Sequence, residues 1–288
     1  MKYEILKPDN KNLKAVHMYR YDNVSDYYKS ALATENRTGM ANQSRNGSQR
    51  FTNSSSFEET QARYTKGYPD ATSKAKAIRM KITPYLRTVS GVKPKWQPQR
   101  YAGGNFILSN YVRGLPEVCN VMTATKSKKF ASIILNGSAS CGVNINTMLA
   151  RGVAVTCLAD VLELNGYRTA IKLVYCATGS SLQTITSIDI KNFDQPPELD
   201  RLAFFLTDPS AMRRLYFSWL ENLPQTTQAD LGVGYGYGTP SELVKAEIGD
   251  KDIYIGCMHW DLPAWHSVEE TVTWIKETLK RYGIDSRS

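Results

Sequence analysis

The sequence predicts an α/β fold over residues 130–288, a three-layer arrangement with helices on both faces of a mostly parallel sheet. Three observations carry this. The run Ile133-Ile134-Leu135 is short, β-branched and uninterrupted, as expected of a strand buried on both faces. A helix-length apolar stretch follows over residues 146–165, with Met148, Leu149, Val153, Val155, Leu158, Val161, Leu162 and Leu164, and Gly166 stops it. The chain then returns to a strand at residues 170–175. After it, a tight polar turn at 177–181 leads into the alternating segment 182–190, and so short a connection allows only antiparallel pairing.

The other elements follow in chain order. Residues 24–32 read as a short helix with Asp22, Asn23 or Ser25 as caps. Residues 34–56 are almost all Asn, Ser, Gln, Arg, Thr and Gly, too polar to offset their ordering entropy, and read as a long loop or disordered arm. Ser54, Ser55 and Ser56 ahead of Phe57-Glu58-Glu59 start a helix that runs to about Lys66 and stops at Gly67. A second helix spans 71–82, and Pro84, Pro94 and Pro98 exclude a long helix after it. Gly103-Gly104-Asn105 and Gly114-Leu115-Pro116 mark turns. Helices are expected at 198–206 and 209–223, the second capped by Asp208, then a glycine-rich loop at 232–238. A last strand at 252–258 and a helix at 267–282 close the chain. The division expected is a basic N-terminal region, 1–129, and an α/β domain, 130–288.

Charge divides the chain at the same place. Residues 1–130 hold 23 lysines and arginines against 9 aspartates and glutamates, a net of +14, whereas the remainder carries −5. Ten of the seventeen tyrosines also lie in the first part. Basic residues interleaved with aromatics suit nucleic acid, because cationic groups displace condensed counterions and flat rings stack on bases. Lys126, Lys128 and Lys129 form the densest basic cluster, with Arg100 and Arg113 as further contacts; the plainer alternative is a solvated basic arm. Arg213, Arg214, Arg201 and Glu221 read as ion pairs on a solvated helix face. No apolar run reaches the ~20 residues a membrane crossing needs, and residues 1–8 lack the apolar stretch of a secretory signal. The five cysteines are odd in number and unpaired in spacing. They suggest a reducing, cytoplasmic setting. With only His17, His259 and His266 available, a zinc site is not expected.

Asn136, Ser138 and Ser140 end the first core strand. Strand, N-x-S-x-S, helix, strand and antiparallel strand together resemble a von Willebrand factor A-type domain, a Rossmann-like fold. In that family the first strand ends in D-x-S-x-S and its side chains hold a divalent cation. The resemblance implies a metal site at Asn136, Ser138 and Ser140. Asn replaces the leading Asp, however, and a neutral carbonyl is a poor ligand for a hard cation. Asp261 or Asp189 could compensate, so the only cofactor expected is a weakly held Mg²⁺. The simpler reading is that the three residues cap the following turn and helix. The whole chain is also similar to an uncharacterised family of phage and prophage proteins, through Phe57-Glu58-Glu59, Gly114-Leu115-Pro116-Glu117, Arg151-Gly152-Val153-Ala154 and Leu162-Glu163 with Gly166-Tyr167-Arg168. This similarity implies a bacterial host cytoplasm or a virion.

His259 and Asp261 with Ser138 or Ser140 form a weaker hydrolase candidate, since no G-x-S-x-G elbow is present. Residues 232–238 lack the strand context and G-K-[ST] ending of a phosphate loop. Tyr235, Tyr237, Trp260 and Trp265 are candidate partner contacts at the sheet edge. The function expected is that of a non-catalytic phage-type accessory protein contacting nucleic acid and a protein partner. A protein–protein adaptor and a self-assembling structural protein are the alternatives.

Overall fold

The computed structural model describes residues 1–33, 42–86, 95–99, 105–115, 119–123, 129–164, 167–195, 199–260 and 267–281. The chain opens with strands β1 (Lys2–Leu6) and β2 (Ala15–Tyr21) and helix α1 (Val24–Leu32). Helices α2 (Gln43–Asn46), α3 (Gln49–Thr52), α4 (Phe57–Lys66) and α5 (Pro69–Leu86) follow. Next come β3 (Lys95–Gln99), β4 (Asn105–Phe106), α6 (Leu108–Val112) and β5 (Cys119–Thr123). The central block is β6 (Lys129–Asn136), α7 (Ile145–Leu164), β7 (Tyr167–Thr178) and β8 (Leu182–Lys191). Helix α8 (Leu199–Thr207), a π-helical turn at Ala211–Tyr216, α9 (Phe217–Leu220) and α10 (Gln225–Leu231) come after it. Strand β9 (Thr239–Pro240), a 3₁₀ turn at Lys245–Glu247, β10 (Asp252–Ile255) and α11 (Val268–Arg281) are the last elements.

Local chemistry accounts for the clearest boundaries. Asn23 caps α1 by accepting the Asp26 N–H at 2.9 Å, and Ser56 caps α4 by accepting the Glu59 N–H at 3.1 Å. One proline expectation needs correction, because the second helix runs past Pro84 to Leu86. Pro84 lies inside α5, near its end, and Pro98 lies inside β3 opposite Asn120. The order β3-β5-β4 puts β3 at an edge of its small sheet, where a missing N–H is tolerated.

The main sheet has seven strands in the order β1-β2-β8-β7-β6-β10, with β9 beside the far end of β7. Strands β6, β7 and β10 are parallel, and β8 is antiparallel to β7, as the short connection predicts. The hairpin β1–β2 joins the same sheet, β2 running parallel to β8 from Ala15↔Leu182 to Tyr21↔Ile188. The sheet therefore does not begin near residue 130. Its outer strands lie between Lys2 and Tyr21, and in β2 the buried Val16 and Met18 alternate with the less buried Ala15 and His17.

Side chains alternate between two faces along β6. Ile133 and Leu135 join the large core made with α1, α5, α7, α8, α9 and α11, while Ile134 joins Val16, Met18, Val174, Cys176 and Ile185 on the other face. That second face is closed by Leu243, Val244 and Ile248 from a loop. Among the described residues, every helix contributing to these cores does so on the first face. The expected helices on both faces are not what this arrangement shows.

Helix α7 explains the difference. It is apolar all round and buried along most of its length because β6 and β7 lie beneath it and α5, α8 and α11 pack against it. The helices stack two deep on one face instead of dividing between two. The α7–α8 approach is close enough that a Cβ on Gly152 would sit 2.0 Å from the Leu206 carbonyl oxygen. By length and composition alone α7 could cross a membrane, contrary to the expectation that no run is long enough; here it is the core helix.

Residues 42–56, expected as loop or disorder, are ordered around buried charge. Arg214, fully buried, donates to Ser54 Oγ (2.6 Å), Ser54 O (2.9 Å) and the Ser44, Arg45 and Gly47 carbonyls (each 3.0 Å). Arg213 donates to Phe51 O (2.7 Å), Ser140 O (3.1 Å) and Val143 O (2.9 Å), with its guanidinium 4.1 Å over the Phe51 ring. Glu221 accepts from Ser44 N, Ser44 Oγ and the Tyr237 hydroxyl. These three charges are interior, not on a solvated face as expected. A segment with few apolar side chains of its own is held by its backbone carbonyls instead. Residues 34–41 lie outside the described residues.

Candidate binding site at the sheet rim

Strands β6 and β10 end side by side, the position at which open α/β sheets bind ligands. Past the sheet the two paths stay zipped. Ala139 bridges Met258, Ser140 N donates to Met258 O at 2.8 Å, and Met258 N donates to Ser138 O at 3.0 Å. Met258 points inward and is buried. Its neighbours Cys257 and His259 therefore share the opposite side of the extended segment.

Asn136 is fully buried at the end of β6. Its amide donates to Ser241 O (2.9 Å) and the Tyr254 hydroxyl (3.2 Å), and its Oδ1 accepts the Ser138 N–H (3.1 Å). Ser138 is also buried, and its Oγ accepts the Cys176 N–H at 2.7 Å. These are the bonds of a turn cap. Arg151 on α7 donates to the Asn136 carbonyl, and burial pulls its guanidinium down to about 10. Ser140 is only partly buried and reaches a neighbouring cavity.

Beside this cap lies a second cluster. The Tyr254 hydroxyl accepts the Leu243 N–H (3.0 Å) and donates to Glu242 Oε2, fixing that carboxylate. Cys257 Sγ sits 3.4 Å from Glu242 Oε1 and 3.2 Å from His259 Nε2. Gly256 permits this, since a Cβ there would lie 2.8 Å from Glu242 Oε1. Burial, and then the adjacent carboxylate, push the Cys257 thiol up to about 12, so at neutral pH it is a donor and not a thiolate. The same two causes raise the Tyr254 phenol.

A cavity of about 470 Å³ adjoins the rim, lined in part by Ser138, Ser140, Cys141, Tyr216 and Tyr235. Tyr235 is 88% exposed, whereas Tyr237 is buried and stacks on Phe217 with ring centroids 4.2 Å apart. Tyr237 thus anchors the glycine-rich loop and is not available as a partner contact. Trp260 is exposed beside His259, and Trp265 and Asp261 lie outside the described residues. Asp189 sits opposite Lys172, in the register row of Ile134, and not at the rim.

Of the basic residues singled out, Lys129 and Arg113 are exposed, and Lys129 lies 5.2 Å over the Tyr167 ring. Lys126, Lys128 and Arg100 fall outside the described residues. None of the five cysteines is in a disulfide; Cys119, Cys157 and Cys176 are buried, Cys257 half-buried and Cys141 exposed.

The Glu242, Cys257 and His259 cluster was not expected from sequence. Cys257 and His259 alternate on an extended segment, a visible signal. Glu242 comes from a separate loop ahead of β10, brought there by long-range contacts such as the pairing of Pro240 with Ala177, the Asn136 bond to Ser241 O and the Leu243 N–H bond to Tyr254.

Fold and site together define a mixed α/β protein with a seven-stranded sheet, helices stacked on it and a polar rim. A family model described as a domain of unknown function, DUF7192, matches residues 7–286, and the chain belongs to that family. Neither the curated proteins nor the solved structures include a match.

Proposed function

We propose that the protein is a non-catalytic accessory protein, of the phage type the resemblance implies, that contacts nucleic acid through its basic first part and a protein partner through the sheet rim. One observation carries the nucleic-acid reading: among the described residues of 1–130, exposed lysines and arginines outnumber exposed aspartates and glutamates. Glu4 pairs with Arg20, and Glu59 with Arg63. Lys11, Lys14, Arg50, Lys66, Lys74 and Lys76 are all exposed. Solvated cations are those able to replace counterions on a phosphate backbone.

The experiment is a mobility-shift titration with single- and double-stranded oligonucleotides of unrelated sequence. Binding with little sequence preference is expected, weakened at least about tenfold by reversing Lys126, Lys128 and Lys129 together or Lys74 and Lys76 together. Absence of a shift at low salt removes the reading.

The partner reading rests on Tyr235 and Trp260, two large aromatics exposed at one end of the sheet, the residue type on which interfaces concentrate their energy. The order β8-β7-β6-β10, with β8 antiparallel, supports treating residues 130–288 as a degenerate von Willebrand factor A-like core. Adaptors in that family work in larger assemblies. Co-purification of a partner that is lost in Trp260→Ala or Tyr235→Ala supports this part; unchanged capture by both variants contradicts it.

A further inference from the structure

We infer that Glu242, Cys257 and His259 form a zinc-binding site at the sheet rim, separate from the Asn136 turn and independent of the nucleic-acid reading. One ligand atom from each of the three lies within 4.8 Å of the others. The Sγ–Nε2 and Sγ–Oε1 separations are 3.2 and 3.4 Å. Tetrahedral zinc with ordinary Zn–S, Zn–N and Zn–O bonds places its ligand atoms about 3.4–3.6 Å from one another. The two separations from Sγ are within a few tenths of an ångström of these values.

The donor set selects the metal. A sulfur and an imidazole nitrogen with one carboxylate oxygen suit zinc and not Mg²⁺ or Ca²⁺, which take oxygen. Binding replaces the thiol proton with the metal, and the proton leaves to solvent.

The support around the ligands is already built. Tyr254 holds the Glu242 carboxylate through its hydroxyl, which is itself fixed by the Leu243 N–H and by Asn136. An outer partner that orients a ligand in this way is a recurrent feature of metal sites. Gly256 lets the carboxylate lie against the backbone, and the buried Met258 between them sends Cys257 and His259 to the same side. Glu242 and His259 are exposed, so an ion has a path in. The three ligands among the described residues leave one tetrahedral position for water or a further side chain.

The site would also join two distant pieces of chain. Glu242 belongs to the loop whose Leu243 and Val244 close the second face of the sheet, and Cys257 and His259 follow β10. Zinc would clamp that loop to the strand.

The test uses the full chain, stripped with a chelator and titrated with Co²⁺ and then Zn²⁺. One equivalent of Co²⁺ should give thiolate-to-cobalt charge transfer and the visible bands of four-coordinate cobalt, bleached by Zn²⁺, and Zn²⁺ should raise the melting temperature. Cys257→Ser should remove the charge transfer, and Glu242→Gln and His259→Ala should each weaken binding more than about tenfold. Tyr254→Phe should weaken it about tenfold while keeping the cobalt spectrum. Cys141→Ser, changing the exposed cysteine, should alter nothing. Cobalt binding without a thiolate band, undiminished binding in Cys257→Ser, or no Zn²⁺ effect on the wild-type melt overturns the proposal. The wild-type spectrum decides the matter even if a variant does not fold.

Discussion

Arg214 shows how much of this molecule rests on single side chains. Its guanidinium supplies the donors around which Ser44, Arg45, Gly47 and Ser54 wrap, and among the described residues no carboxylate hydrogen-bonds to it. Arg214→Lys keeps the charge but offers three donors on a point-like head, so several buried acceptors lose their partners. A loss of about 3 kcal/mol or more in a urea titration is expected; a change below about 1 kcal/mol contradicts this role. Glu59 offers a pH-dependent counterpart. It accepts the Ser55 N–H and hydroxyl and pairs with Arg63, and these bonds hold its carboxyl down at about 2. A folded value below the unfolded one of about 4.3 means its contribution is present above that pH and lost as pH falls towards 2. The side chain is about one third exposed, so solvent screening leaves about 1 kcal/mol at pH 7. Glu59→Gln should be less stable by that amount at neutrality and match the wild type near pH 2. A gap that persists at low pH would show that packing, not ionisation, is responsible.

Helix α7 is the element on which the core turns, and Gly152 is its tightest point. Gly152→Ala would drive a methyl group into the backbone of Leu206 and Thr207, which has no soft side chain to yield. A loss of at least about 3 kcal/mol is expected by chemical denaturation, and a stable, unshifted variant would show that α8 can move away. At this scale the sequence was most legible where local chemistry decides. The capped helices α1 and α4, the apolar strand β6, helix α7 and the short β7–β8 turn are each specified by neighbouring residues. What it did not disclose was set by distant ones. The polar stretch at 42–56 has little apolar pattern because Arg213, Arg214 and Glu221, far along the chain, satisfy its backbone. For the same reason the three charges looked like surface residues. Strand β2 has an ordinary alternation, but its partner β8 lies on the far side of the whole α7 block. The candidate metal ligands are likewise gathered by the packing of separate segments.

At the scale of the whole molecule, the region 1–129 is part of the sheet protein and not an appendage. It supplies two strands, the helix α5 that packs against α7, and the acceptors of Arg214. A fragment spanning 130–288 would expose the edge of β8 and leave the buried Arg214 without its acceptors, so it should lack a cooperative thermal transition. A sharp melt near that of the full chain would restore an independent C-terminal domain. The same integration puts the exposed Lys11, Lys14, Arg50, Lys66, Lys74 and Lys76 on a folded body, where the proposed nucleic-acid contact would be made. Measuring oligonucleotide binding by fluorescence anisotropy across a range of salt concentrations tests it most directly. Neutralisation of about four or more phosphates gives a slope of about −3 or steeper in log K against log salt. A slope near zero, or no binding at low salt, would contradict it.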